Sequence, residues 1–95
     1  NDSTSVSGRI QLEKVPSARQ HLRSLIDAIK GNFVVQFDYK PYNRLEGKNG
    51  IKMRPYFVKI FKQVWYVIGY VREDNKVKTY ALDRIHDLRR TTDTF

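Results

Sequence analysis

The chain of 95 residues contains no cysteine. Disulfides and thiolate metal sites are therefore excluded. Histidine is almost as scarce: His21 and His86 stand alone, and two isolated imidazoles do not make a metal site. Acidic residues are in the minority, 10 against 18 Lys and Arg, for a net charge of +8. A basic domain of this kind attracts phosphates, anionic ligands or an anionic surface, although the same charge also serves solubility. No apolar run approaches the roughly 20 residues that a membrane helix needs, and the start lacks the basic-then-apolar order of a signal segment. The expected location is the cytoplasm, with no membrane partner. A Gly-rich phosphate loop and a nucleophile motif are also missing, so neither an enzyme nor a cofactor is expected. Asp83 and His86 can be drawn as a dyad, but Asp83 reads more simply as a turn residue paired with a neighbouring Arg. The first residue is Asn1 rather than Met, which points to an excised domain or a processed start.

What the chain does have is strand-forming sequence, organised around Val64-Trp65-Tyr66-Val67-Ile68-Gly69-Tyr70-Val71-Arg72. β-Branched and aromatic residues dominate this run. Val64, Tyr66, Ile68 and Tyr70 share one parity; Trp65, Val67 and Val71 share the other. A strand apolar on both faces needs cover on both, so it reads as a central strand. Gly69 marks a bend, a bulge or the close approach of another backbone.

In chain order, residues 1–8 read as a disordered linker and 9–95 as one domain. Arg9 to Glu13 alternates and could form a short edge strand. Pro16-Ser17 opens a helix whose apolar stripe is Ala18, Leu22, Leu25, Ile26 and Ile29, with Lys30 in the last turn and Gly31 or Asn32 as the stop. His21 lies off that stripe and reads as a solvated side chain. From Phe33 the period becomes two, with Phe33, Val35, Phe37 and Tyr39 on the buried side. Pro41 to Gly50 is a loop rich in turn formers. Ile51–Phe61 is the second strand, with Pro55 at an edge or a bend. Lys62-Gln63 is a tight connection, and Glu73 to Lys76 is a hairpin turn. Val77–Leu82 and Ile85–Thr91 are the last strands. The expected class is mainly β (α+β): a small five-stranded Sm-like or SH3-type β-barrel with one N-terminal amphipathic helix.

Several motifs, in order, carry a resemblance. Trp65-Tyr66-Val67 is followed one hairpin later by Lys78-Thr79-Tyr80-Ala81-Leu82-Asp83-Arg84-Ile85. Phe37-Asp38-Tyr39, Arg54-Pro55-Tyr56 and the terminal Phe95 agree as well. Together they resemble the WYL domain family, named for a Trp-Tyr-Leu triplet, over residues 9–95. Val67 stands for the family leucine, Lys78 for the first arginine of the second motif, Tyr80 for a phenylalanine and Ala81 for a frequent basic residue. The resemblance implies the Sm-like barrel and a bacterial transcription regulator. It also implies an N-terminal winged helix-turn-helix domain preceding this chain, and a sensed ligand, with nucleic acids or nucleotides favoured.

The candidate ligand-binding residues are Arg84, Lys78 and Arg54 as anion partners, with Tyr66, Tyr80, Tyr39 and Trp65 as aromatic walls. Cations hold phosphates through charge-assisted hydrogen bonds, and aromatic faces stack on bases. The expected partner is a single-stranded nucleic acid or a nucleotide-like effector. The competing reading is an Sm- or SH3-like protein-interaction or oligomerisation module, with a homodimer as its expected form, in which the aromatics are simply core.

Overall fold

A computed structural model of the chain describes residues 16–41 and 47–95. The expected linker at 1–8, the edge strand at Arg9–Glu13 and part of the 41–50 loop lie outside the described residues. Helix α1 spans Pro16–Gly31. Proline suits a first helical position because its missing N–H would have no intrahelical partner there. Asn32 ends the helix in the left-handed region at φ 57, a conformation asparagine tolerates better than most residues. Five antiparallel strands follow: β1 Phe33–Tyr39, β2 Lys48–Phe61, β3 Val64–Val71, β4 Lys76–Ala81 and β5 Ile85–Thr94. A 3-10 turn, Leu82–Arg84, joins the last two.

The sheet order is β4-β3-β2-β1-β5. β3 is interior, between β2 and β4. The longest strand, β2, serves two halves of the sheet. Its first part pairs with β1, through Ile51 with Phe37 and Met53 with Val35. Its second part pairs with β3, from Arg54 opposite Tyr70 to Phe61 opposite Val64. The hand-over falls at Pro55, which pairs with Gly69 just before a register shift. A proline cannot donate to a ladder, so it sits where β2 changes partners. Gly69 is there because a Cβ on it would lie 2.3 Å from the Arg54 carbonyl oxygen.

The core lies between α1 and the face of the sheet that it packs on. Phe37, Leu25, Met53 and Leu82 are the largest of its fully buried side chains. Ala28 is fully buried beside Leu25, and Leu22 packs against the same cluster. Phe37 and Tyr80 meet edge to face at 5.2 Å.

The structure corrects the sequence reading in four places. The sheet is not closed into a barrel: β4 pairs only with β3 and β5 only with β1. β4 ends after six residues, and the 3-10 turn carries the chain across to the end of β1 instead of extending a ladder. β2 begins at Lys48, inside the expected loop. Gly50, at φ +69, forms a bulge there opposite β1, and its N–H donates to Asp38 Oδ1 at 2.8 Å. β5 runs three residues beyond Thr91, past a second irregularity where Asp87 takes φ 54. Finally, His21 is not solvated. It is half-buried, and its Nε2 lies 3.0 Å from the Ile85 carbonyl oxygen, to which the Nε2–H tautomer donates.

Burial of His21 lowers its pKa below the ordinary 6.5, with His86 adding to the effect and the Ile85 carbonyl opposing it. The folded state thus binds this proton less readily than the unfolded chain does. The stability present above pH 6.5 should be lost as pH falls from there through the lower folded-state value. Thermal melts from pH 8 downward should show this decline, and His21→Gln should flatten it. An equal decline in both proteins would assign the effect to other groups.

Candidate functional site

Three strand ends and the 3-10 turn meet at one end of the sheet. Tyr39, near the end of β1, pairs with Lys48 at the start of β2 and with Ile85 at the start of β5. The Lys40 N–H donates to the Arg84 carbonyl at 3.0 Å, which ties the end of β1 to the turn. The register therefore brings Lys40, Lys48 and Arg84 together. They line a cleft of about 620 Å³ with Tyr39, Pro41, Gly47, Asn49 and His86. None of the described residues lining it is acidic. Its size lies within the usual range for small-ligand sites.

Tyr39 is fixed from two sides. Its hydroxyl accepts the Ala81 N–H at 3.2 Å, and its ring meets Tyr80 edge-on at 4.7 Å. Tyr80 is buried against the core, and burial pushes its hydroxyl pKa up, while Lys78 and Lys48 partly oppose the rise. The phenol therefore stays protonated through the physiological range.

A small ionic network adjoins the cleft. Lys78 Nζ donates to Asp74 Oδ2 at 2.6 Å. Lys48 Nζ lies 3.2 Å from Glu73 Oε1 and 3.8 Å from Asp74 Oδ1. The Lys78 hydrogen bond holds the Asp74 carboxyl below its usual range, and the same bond raises the Lys78 pKa. All four side chains are partly exposed, so the network orients charges more than it stabilises the fold.

The predicted site residues thus separate into groups. Arg84 and Tyr39 line the cleft. Lys78 and Tyr80 share one face of β4, opposite Gly69 and Val67, and Lys78 is bound to Asp74 beside the cleft. Trp65 packs against the core. Tyr66 belongs to the other face of β3. Arg54 is elsewhere, stacked between Tyr70 at 5.5 Å and Phe95 at 6.0 Å. Sequence reasoning missed Lys40, Lys48, Asn49 and His86. The signal was available for two of them: Lys40 and Lys48 flank one loop, so an antiparallel β1–β2 pair must bring them close. Asp83 is exposed on the 3-10 turn, and the described residues hold no cluster of metal-ligating side chains. No helix among them is long and apolar enough to cross a membrane.

The order of motifs on this scaffold is decided by comparison. The family model of the WYL domain matches residues 20–90. The chain belongs to the WYL domain family. The Trp65-Tyr66-Val67 strand and the Leu82-Asp83-Arg84-Ile85 corner of this WYL domain both fall inside the match. The structure is similar to that of proteasome accessory factor B/C (PafBC) of Arthrobacter aurescens, with a TM-score of 0.75 at 19% sequence identity. That likeness covers 83% of this chain and 12% of the PafBC chain, so the WYL domain spans a small part of that protein's length. No curated protein sequence matches the chain.

Proposed function

We propose that this WYL domain is the effector-sensing, non-enzymatic part of a bacterial cytoplasmic transcription regulator. Its effector is a nucleotide-like anion, either free or as a unit of a single-stranded nucleic acid. The observation that carries the reading is the convergence of Lys40, Lys48 and Arg84 beside the Tyr39 ring in one cleft. Cations bind a phosphate by charge-assisted hydrogen bonds, and an aromatic wall offers a base a stacking face. Arg84 supplies a planar fork that lysine cannot reproduce. Lys78 is linked to the cleft cation Lys48 through Asp74, which lies 3.8 Å from Lys48 and 2.6 Å from Lys78. A winged helix-turn-helix domain N-terminal to this chain is the partner that would read DNA, as WYL family membership implies. Five short antiparallel strands following one helix support reading the fold as related to Sm-like and SH3-type domains.

Arg84→Ala should weaken binding of a labelled nucleoside monophosphate about tenfold or more, the size expected for losing a hydrogen bond to a charged group. The salt dependence of the remaining binding should be flatter, because fewer counterions are released. Arg84→Lys should restore part of the loss. Circular dichroism of the variants separates loss of binding from loss of fold. A folded Arg84→Ala protein with unchanged affinity would rule out the cleft as the effector site.

A further inference from the structure

From Gly47 to Arg72 the chain carries six Lys or Arg residues and no Asp or Glu. This stretch comprises β2, its turn and β3. The hairpin made by the second half of β2 and β3 has two faces. Val58 and Trp65 pack against the core on one of them. The other face is set by the cross-strand pairs Phe57 with Ile68, Lys59 with Tyr66 and Phe61 with Val64, since directly opposed residues leave a sheet on the same side. Phe57 is 51% exposed and Phe61 55%. Lys59 between them is exposed as well. One strand therefore presents ring, cation, ring at two-residue intervals, each about 6.6 Å along the strand.

The tip of the hairpin adds to this. Lys62 and Gln63 occupy left-handed backbone at φ 51 and 67, where a two-residue hairpin turn ordinarily uses Asn-Gly. Keeping two long side chains there costs backbone strain, and Lys62 lies 5.4 Å from the Phe61 ring centroid. At the other end Arg54 stacks on Tyr70. Positive charge thus runs the length of the face, with exposed rings between.

We infer that this outer face of the β2–β3 hairpin is a second binding surface, distinct from the Arg84 cleft, on which a single-stranded nucleic acid stacks its bases over Phe57 and Phe61 with its phosphates on Lys59 and Lys62. The face and the cleft have no residue in common. Charge decides the class of partner. A second copy of the chain would set lysine against lysine. The core of a protein interface is depleted of lysine, yet Lys59 sits in the middle of this patch. A polyanion with flat apolar faces satisfies both the cations and the rings, as at other aromatic sheet platforms for single strands.

The test uses the full chain with a fluorescein-labelled oligothymidylate of about 15 nucleotides, near the upper site size of single-strand-binding modules. Phe57→Ala/Phe61→Ala should weaken binding roughly tenfold or more and leave the salt slope unchanged. Lys59→Ala should lower the salt slope by about one. Both rings are exposed, so both variants should retain the wild-type melting temperature. Neither should change binding of a nucleoside monophosphate, which reports on the cleft. Unchanged oligonucleotide affinity in the double variant would overturn the inference while leaving the cleft reading intact. Binding to phosphatidylserine vesicles or to an acidic peptide, with no oligonucleotide binding, would overturn it in favour of those partners.

Discussion

Gly69→Ala should destabilise the domain by about 3 kcal/mol or more, at the upper end of what overpacking a core costs. The added methyl would meet the Arg54 carbonyl oxygen at 2.3 Å and the Met53 side chain at 2.8 Å. Met53 is flexible and can give way, but the carbonyl belongs to the backbone of the neighbouring strand. Relief therefore requires β2 and β3 to separate at Pro55, where β2 changes partners and where the proline already removes one ladder donor. For a domain of this size, a loss of that magnitude lowers the melting temperature by roughly 12–24 °C. Thermal unfolding followed by far-ultraviolet circular dichroism measures it. A shift of only a few degrees would mean that the two strands tolerate a wider spacing at the bend.

Leu25→Ala should cost about 2–5 kcal/mol. Leu25 is completely buried, in the core cluster with Ala28 and with Leu22 packed against it. The helix packs on β1, β2 and β5, so a cavity there is enclosed by several elements and cannot collapse by moving one of them. Total stability of a small domain is on the order of 5–15 kcal/mol, and this substitution therefore removes a large share. Denaturant titration at constant slope would give the value. A loss below about half a kcal/mol would mean that the helix does not anchor the core.

Much of this architecture is legible in the residues. The period-two run from Phe33 and the doubly apolar strand from Val64 fix where strands lie, and Pro55 and Gly69 each mark an irregularity, although only the register shows that they pair. The helix is equally plain from its stripe. Other features depend on tertiary partners. Asn49-Gly50 carries the turn chemistry of a loop, yet Gly50 is a bulge inside β2 because Asp38 on the facing strand accepts its N–H. His21 looks solvated by polarity, yet its position, one turn before Leu25, puts it on the core side next to the Ile85 carbonyl. Barrel closure is a global property of strand length and stagger, and local pattern does not specify it.

The site is less legible than the fold for a physical reason. Arg84 is far from Lys40 and Lys48 in sequence and joins them only through the β1–β5 register, which an irregularity displaces. Arg54 and Lys78 read as anion partners of the site around Arg84. In the fold, Arg54 is committed to Tyr70 and Phe95, and Lys78 to Asp74.

The central claim is that the cleft beside Arg84 binds a nucleotide-like anion. It is tested most directly by amide chemical shifts of the isotopically labelled domain during titration with a nucleoside monophosphate. The account predicts that Tyr39, Lys40, Lys48, Asn49, Arg84 and His86 move together and saturate, and that added salt reverses the shifts. Saturating shifts confined to other parts of the sheet, or none at millimolar ligand, would contradict it.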